Sequence, residues 1–364
     1  MTTESTASHD ARAWVEVDLG ALVRNGAALR RHAGVPLVPM VKADAYGLGA
    51  VACARALESL DPYAFGVATT REAAELRAAG IARRVMIFSP LLPADFAAAR
   101  AAGAVPTLGD AAAIGAWVTS GGGEWHLAIE TGMHRAGVRW DEIATVAELV
   151  RAHPPAGAFT HFHSAERNDG SWEEQERRFH TALTALPVRP AVLHAQNSAG
   201  IVRRGTSPWS LARPGVFLYG VGSGPGAQLE PEPVVSVRAR ILETHNLRGG
   251  DTVSYTGAWR AVGPRRVATL GIGYADGYRR SLGNKGPALV GGRRTLVTGV
   301  VTMDMTMIDI SDLACGVGET ATLIGRDGDE ILTVEEVATF ADMMSPYELL
   351  TGLRQRLPRV YVGG

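Results

Sequence analysis

The sequence predicts an α/β fold, a parallel (β/α)8 barrel of the TIM type followed by a C-terminal all-β domain, and three observations carry that expectation. Over the first 220 residues, short apolar runs alternate with Ala-rich helical stretches at about 25-residue spacing, the pattern of parallel βαβ units. Around Gly220 a stretch dense in Gly and Pro, GVGSGPGAQLEPEPV, breaks the alternation. Beyond it, β-branched runs bounded by Gly, Asp or Asn dominate. With 364 residues the chain exceeds one ordinary domain. The expected division is a disordered tail over residues 1–13, a barrel over 14–230 and a β-rich unit over 231–364.

The barrel staves are read from eight apolar runs at 37–41, 65–68, 85–88, 104–108, 125–129, 157–162, 191–194 and 209–212. Helical composition fills 49–60, 70–79, 93–102, 141–152 and 172–186. Two of these stretches carry start signals: Thr70 with Glu72 behind it, and Ser171 followed by glutamates that suit a positive helix end. Eight runs fit a closed barrel, with an open doubly wound sheet as the alternative. In the second unit, VVSVRARILETH, RRVATLGIGY, RTLVTGVVTMD and ATLIG read as strands. A short helix near 334–341 and the tail LPRVYVGG close it. The glycines of the linker lack dinucleotide spacing and open no helix, so they are not a nucleotide loop.

Composition narrows the function. A formal charge of −1 removes the electrostatic footprint of a nucleic-acid binder. Cys53 and Cys315 are the only cysteines, too few for a disulfide framework or a cysteine-rich zinc site. The start, MTTESTASHDARA, has no apolar signal core, and no apolar run is long enough to span a membrane. A cytoplasmic protein acting on small molecules is expected.

In a parallel barrel, chemistry gathers at the C-terminal ends of the strands. The first run ends VPLVPMVKADAYGLG, so Lys42 follows directly on buried apolar residues. Partial desolvation there lowers a lysine's pKa and favours a Schiff base; a solvated lysine at a strand end is the competing reading. Tyr46, Gly47 and Gly49 follow as a compact turn into a helix.

VKADAYGLG resembles the cofactor-lysine motif of alanine racemases, the two-domain enzymes that use pyridoxal phosphate (PLP). ETGMHRAGV, THF, NSAG, LARPGVFLYG, VSYTGAW, GIGYADGYRR, TMDM and SPYELLTGL are similar to further motifs of that family, in order, between about Val15 and Val362. The resemblance implies a PLP-binding barrel, a β-domain, and a homodimer with shared active sites that interconverts L- and D-alanine. It implies a role in D-alanine supply for the bacterial cell wall. It also makes Lys42 the residue that holds PLP. Barrels often bind phosphate after strands seven and eight, where Asn197–Ser198 and Gly215–Val216 offer a hydroxyl and backbone N–H groups. Tyr46 and Tyr347 resemble the family's phosphate-contacting tyrosines.

The same resemblance sets Arg213 against the pyridine nitrogen. Arginine keeps its proton, so the ring stays unprotonated and becomes a poorer electron sink. That favours reprotonation at Cα over transamination. Tyr255 matches the base that the partner subunit contributes opposite Lys42. A free phenol loses its proton only near pH 10, about 4 kcal/mol from neutrality, so such a base needs a cationic neighbourhood. His161 and Arg213 resemble the relay that supplies it. Arg135 and Met303, with Asp304, resemble groups that meet the substrate carboxylate, and Tyr274 one that lines the substrate entrance.

Four positions depart from the family pattern. Ala128 stands where many members have a carbamylated lysine, so support for Arg135 must come from a bound anion or another side chain. Glu130 replaces an Asp, His134 a small residue and Leu48 a His; together they bear on substrate range and rate, including broader or serine specificity. Three other readings compete. His161, His163 and His194 suggest a metal-dependent hydrolase, but no Asp follows at the other strand ends. A non-catalytic PLP-binding protein would not need the second unit that carries Tyr255 and Met303. Decarboxylases sharing the barrel place a carboxylate, not Arg213, opposite the pyridine nitrogen.

Overall fold

The computed structural model describes residues 11–364. The tail expected over 1–13 lies, up to residue 10, outside the described residues, and Ala13 already opens a strand. Strands Phe65–Val67, Val85–Ile87, Ala104–Leu108, His126–Glu130, Gly157–Phe159 and Val192–His194 pair in that order, all parallel. The other two staves contribute isolated parallel bridges only: Leu37 with Ala212, Met40 with Gly66, and His194 with Leu211. Pro36, Pro39 and Pro214 explain this, because each removes a donor that a regular ladder would use. The bridges still close the ring, through Val38 N–H to Ala212 O (2.8 Å) and Val41 N–H to Gly66 O (2.8 Å). Closure excludes the open doubly wound sheet. Inside the ring Val38, Ala64, Met86, Val105 and Leu211 pack as one buried cluster. The barrel is a filled core with its chemistry at one end.

The helices begin at Thr70 and Ser171, and their caps lie one residue before those signals. Thr69, in extended conformation, caps helix Thr70–Ala78: its hydroxyl accepts Glu72 N–H and the Glu72 carboxylate reaches back, a full capping box. Gly170, at φ 81°, caps helix Ser171–Ala185, and the Ser171 hydroxyl makes no cap.

Val235–Leu247 is the spine of the second sheet, with Val235, Val237, Ala239 and Ile241 buried at every other position. It pairs antiparallel with Ala13–Asp18, Arg265–Leu270 and Thr320–Asp327. The C-terminal tail is a strand, Arg359–Val362, parallel to Ala13–Asp18. The chain's two ends thus share the β-rich sheet. The helix expected near 334–341 spans Val334–Phe340, capped by Thr333.

Candidate active site

Lys42 leaves the first stave and enters a turn of left-handed backbone: Ala43, Asp44, Ala45 and Tyr46 all have φ between 52° and 57°. Only Asp tolerates that region readily. Left-handed helical conformation costs about 1–2 kcal/mol per residue, so the turn stores roughly 5 kcal/mol that its surroundings must offset. Arg359 grips its far end, donating from Nε (2.9 Å) and Nη2 (2.7 Å) to Gly47 O. Any side chain at Gly47 would meet Leu350 O within 2.5 Å, so the segment before the C-terminal strand packs directly on the turn. Burial, reinforced by the charge of Arg135, lowers the Lys42 pKa below the ordinary lysine value. The desolvation inferred from its place in the sequence is therefore present.

At the same far end of the turn Tyr46 reaches Gly215, where a methyl group would come within 2.5 Å of its hydroxyl. The Tyr46 ring lies 4.9 Å from that of Tyr219, whose hydroxyl donates to Met40 O (2.8 Å). Burial and the nearby Tyr347 push the Tyr46 pKa up to about 12, which keeps it a donor at neutral pH. Ser198 opens the helix Ser198–Arg204, capped by Asn197, and its Oγ accepts N–H groups from Gly215 (2.9 Å) and Phe217 (3.4 Å). Gly215 in turn caps the turn Val216–Tyr219. Tyr347 sits half-exposed on helix Pro346–Thr351. The hydroxyls of Tyr46 and Ser198 converge at Gly215, donors of the kind that hold a phosphate.

Arg213 is 4% exposed and links this cradle to the barrel interior. It donates to Thr160 O (2.8 Å), Ala195 O (3.1 Å), His194 Nδ1 (2.9 Å) and His161 Nδ1 (3.3 Å). Phe88 and Phe159 flank its guanidinium at 5.7 and 5.2 Å. Burial and the charge of Arg135 press its pKa down to about 9, and the four acceptors hold the cation at neutral pH. Because arginine only donates, the tautomers follow. His194 must accept at Nδ1 and therefore donates from Nε2 to His126 Nδ1 (2.9 Å). His161 accepts at Nδ1, so its proton sits on Nε2. All three imidazoles are held neutral, chiefly by burial, with His126 pressed down to about 3. Both nitrogens of His194 are committed to Arg213 and His126, which removes it from the metal-ligand set considered above. Among the described residues no three His, Cys, Asp or Glu side chains are grouped to hold a metal.

Beside Lys42 a cavity of about 380 Å³ opens, lined by Thr107, Ala128, Glu130, Arg135 and His161 among others. Glu130 accepts backbone N–H groups from Gly132 and Arg135, the latter at 3.2 Å. Support for Arg135 is thus given at its backbone. Among the described residues its guanidinium makes no hydrogen bond or ion pair, and its side chain is exposed. His134 adopts φ 53°, and Leu48 is fully buried in the hydrophobic core.

Tyr255, Tyr274 and Met303 do not join this cavity. They are 64%, 36% and 52% exposed and lie together on the β-rich unit. Tyr274 N–H donates to Thr302 O (3.0 Å), Ala275 N–H to Met303 O (3.0 Å), and Ser254 Oγ to Val300 O (2.7 Å). Asp304 pairs with Arg356 (2.8 Å), which also reaches the buried Asp276. Sequence reasoning missed His126 and Arg359, took Glu72 only as a helix-start signal, and considered His194 only as a ligand. Of these, only Glu72 had a legible signal, three residues after a capping Thr.

Together these elements define a barrel that carries a desolvated lysine at its mouth and is joined to a β-domain. The family model described as the alanine racemase N-terminal domain matches residues 17–223, and the C-terminal domain model matches 234–361. An alanine racemase of Symbiobacterium thermophilum is 35% identical over 96% of this chain and 97% of its own. One of Deinococcus radiodurans is 37% identical over 96% and 98%. The crystal structure of alanine racemase from Bartonella henselae with covalently bound pyridoxal phosphate superposes with a TM-score of 0.87, at 28% identity over 97% of this chain and all of that one. The chain belongs to the alanine racemase family, isomerases that depend on PLP. The hydroxyl donors around Gly215 and the desolvated Lys42 fit that cofactor.

Proposed function

We propose that the protein interconverts L- and D-alanine with PLP, using Lys42 and Tyr255 of the partner subunit as the two bases. The observation that carries this reading is Lys42 itself, a lysine of lowered pKa held by a strained turn between a phosphate-type cradle and an open cavity. Lys42 would anchor the cofactor, with Tyr46, Ser198, Gly215, Val216 and Tyr347 at its phosphate and Arg213 at its pyridine nitrogen. The chemistry that bound PLP supplies is electron withdrawal, which acidifies the α-C–H of the amino acid. A lowered pKa leaves more of the Lys42 amine free to take a proton from Cα on one face. The phenol opposite returns a proton to the other face, and the roles exchange with direction. His161, with its proton on Nε2, can donate to that phenol's oxygen and so ease its ionisation, while Arg213 fixes the imidazole. Arg135, together with Met303 of the partner subunit, would receive the substrate carboxylate, and Tyr274 of the partner subunit would line the entrance.

Shared sites in a homodimer are supported by the exposure of Tyr255, Tyr274 and Met303, none of which lines the same chain's cavity. Division of the chain at about residue 230 gives each half one part of the site. The wider role we infer is cytoplasmic D-alanine supply for the cell wall. No helix is long and apolar enough to cross a membrane among the described residues. The test mixes Lys42→Ala with Tyr255→Phe protein and follows racemisation over a panel of L-amino acids with added PLP. Each variant alone should be nearly inactive, and the mixture should recover activity, highest with alanine, because one heterodimer site keeps both bases. No recovery would sink the shared site. A serine preference would move the substrate assignment within the family.

A further inference from the structure

The left-handed turn after Lys42 is held at its near end by Glu72, so far described only as half of a capping box. Glu72 Oε1 accepts the N–H of Ala43, the first left-handed residue, at 2.7 Å. Its Oε2 accepts the N–H groups of Ala68 (2.6 Å) and Thr69 (3.1 Å). One carboxylate therefore ties the lysine turn to the end of strand Phe65–Val67 and to the start of helix Thr70–Ala78. Three backbone donors on two oxygens is more than a capping box requires, and the extra donor is the one that adjoins Lys42.

We propose that Glu72 is a positioning residue for Lys42: it fixes the strained turn through Ala43 N–H and so aims the lysine amine into the barrel mouth. This rests on the reading that Lys42 carries the cofactor. The position also gives Glu72 an electrostatic role. The charged and titratable groups that act on or sense Lys42 are Arg135, Arg213, His161 and Glu72, and Glu72 is the one that favours the ammonium form. Losing its charge lowers the Lys42 pKa further.

Glu72→Gln keeps a side chain that a capping box accepts, but offers one acceptor oxygen instead of two and no charge. Thr69→Ala is the control, because it removes the hydroxyl from the same helix start and leaves the Glu72 carboxylate on Ala43. Both are compared as full-length protein by thermal melting, by PLP titration of cofactor-stripped enzyme, and by the pH midpoint of the visible band of the holoenzyme. Glu72→Gln should weaken PLP binding by about tenfold or more, the loss of one charge-assisted hydrogen bond. It should also move the midpoint down by about half a pH unit. Thr69→Ala should melt earlier and change neither. Adding Ala43→Gly to Glu72→Gln should restore much of the PLP affinity, since glycine takes positive φ without being held, while the midpoint stays shifted.

PLP binding by Glu72→Gln within twofold of wild type would overturn the proposal, as would equal losses in Thr69→Ala. If Glu72→Gln does not fold, Ala43→Gly alone decides. It should leave affinity unchanged or improved if holding the turn is what matters, and a loss would count against it. A visible band that survives Lys42→Ala would overturn the cofactor reading beneath it, a different result from an unaffected Glu72→Gln protein whose band still needs Lys42.

Discussion

On the Gly215 side of the barrel mouth, Ser198 Oγ accepts two backbone N–H groups, and Arg213, behind it, is held by four acceptors. On the Ala128 side, a cavity of about 380 Å³ separates Lys42 from an exposed Arg135 anchored by its backbone. The first side is prebuilt: a change there leaves a buried donor or acceptor unpaired, which costs about 1–3 kcal/mol for each group. The second side has room to absorb substitutions. Three of the four departures from the family motifs, Ala128, Glu130 and His134, fall on or beside the open side, and Leu48 is an apolar replacement inside the core. Of these, His134 is exposed, whereas Ala128, Glu130 and Leu48 are buried, so it is the cavity beside Ala128 and Glu130 that leaves room for change on the open side.

Lys42 joins the two sides, so its removal should have the largest effect. Lys42→Ala should lose the visible absorbance of bound PLP and lower racemisation on the order of a thousandfold or more. A retained band would place the cofactor elsewhere. Gly215→Ala tests the closed side alone. Its methyl group would lie 2.5 Å from the Tyr46 hydroxyl, and Tyr46 is confined by its left-handed backbone and by Tyr219. Overpacking of this kind costs about 1–3 kcal/mol, so PLP affinity measured by absorbance titration should fall about tenfold to a hundredfold. Wild-type affinity would mean that the cradle is not closed after all.

The sequence was legible where local pattern decides structure and opaque where distant segments do. Six staves lie where apolar runs put them, because β-branched stretches between helices have few other homes. The first and last staves kept their place but not a regular ladder, owing to Pro36, Pro39 and Pro214. Lys42 and Ser198 stand at the barrel mouth, where motif and position put them. The left-handed turn was not: Ala, Asp, Ala and Tyr give no signal for positive φ, which tertiary contacts from Glu72 and Arg359 impose. Nor was the His126–His194–Arg213 chain, whose members stand on separate staves and meet only inside the closed ring. Gly157 makes room for it, since a methyl group there would strike the His126 ring.

The smallest effect is expected on the open side, and it sharpens the contrast most. Ala128→Glu would put a carboxylate into the cavity that Lys42 and Arg135 share. The cavity has volume for the side chain, and Arg135 has a free guanidinium to pair with it, so maximal activity should stay within about tenfold of wild type. The pH dependence should still move. Arg135 now helps to hold the Lys42 pKa down. A carboxylate opposing that charge favours the ammonium and raises the pKa, by about half a unit to one unit. Racemisation needs the neutral amine, so activity is lost as pH falls through the Lys42 pKa, and the acid limb of kcat/KM against pH should shift upward in the variant. If Ala128→Glu instead lost a hundredfold in activity with no shift of that limb, the Ala128 side would be as closely specified as the Gly215 side, and the motif departures would need a structural cause other than tolerance.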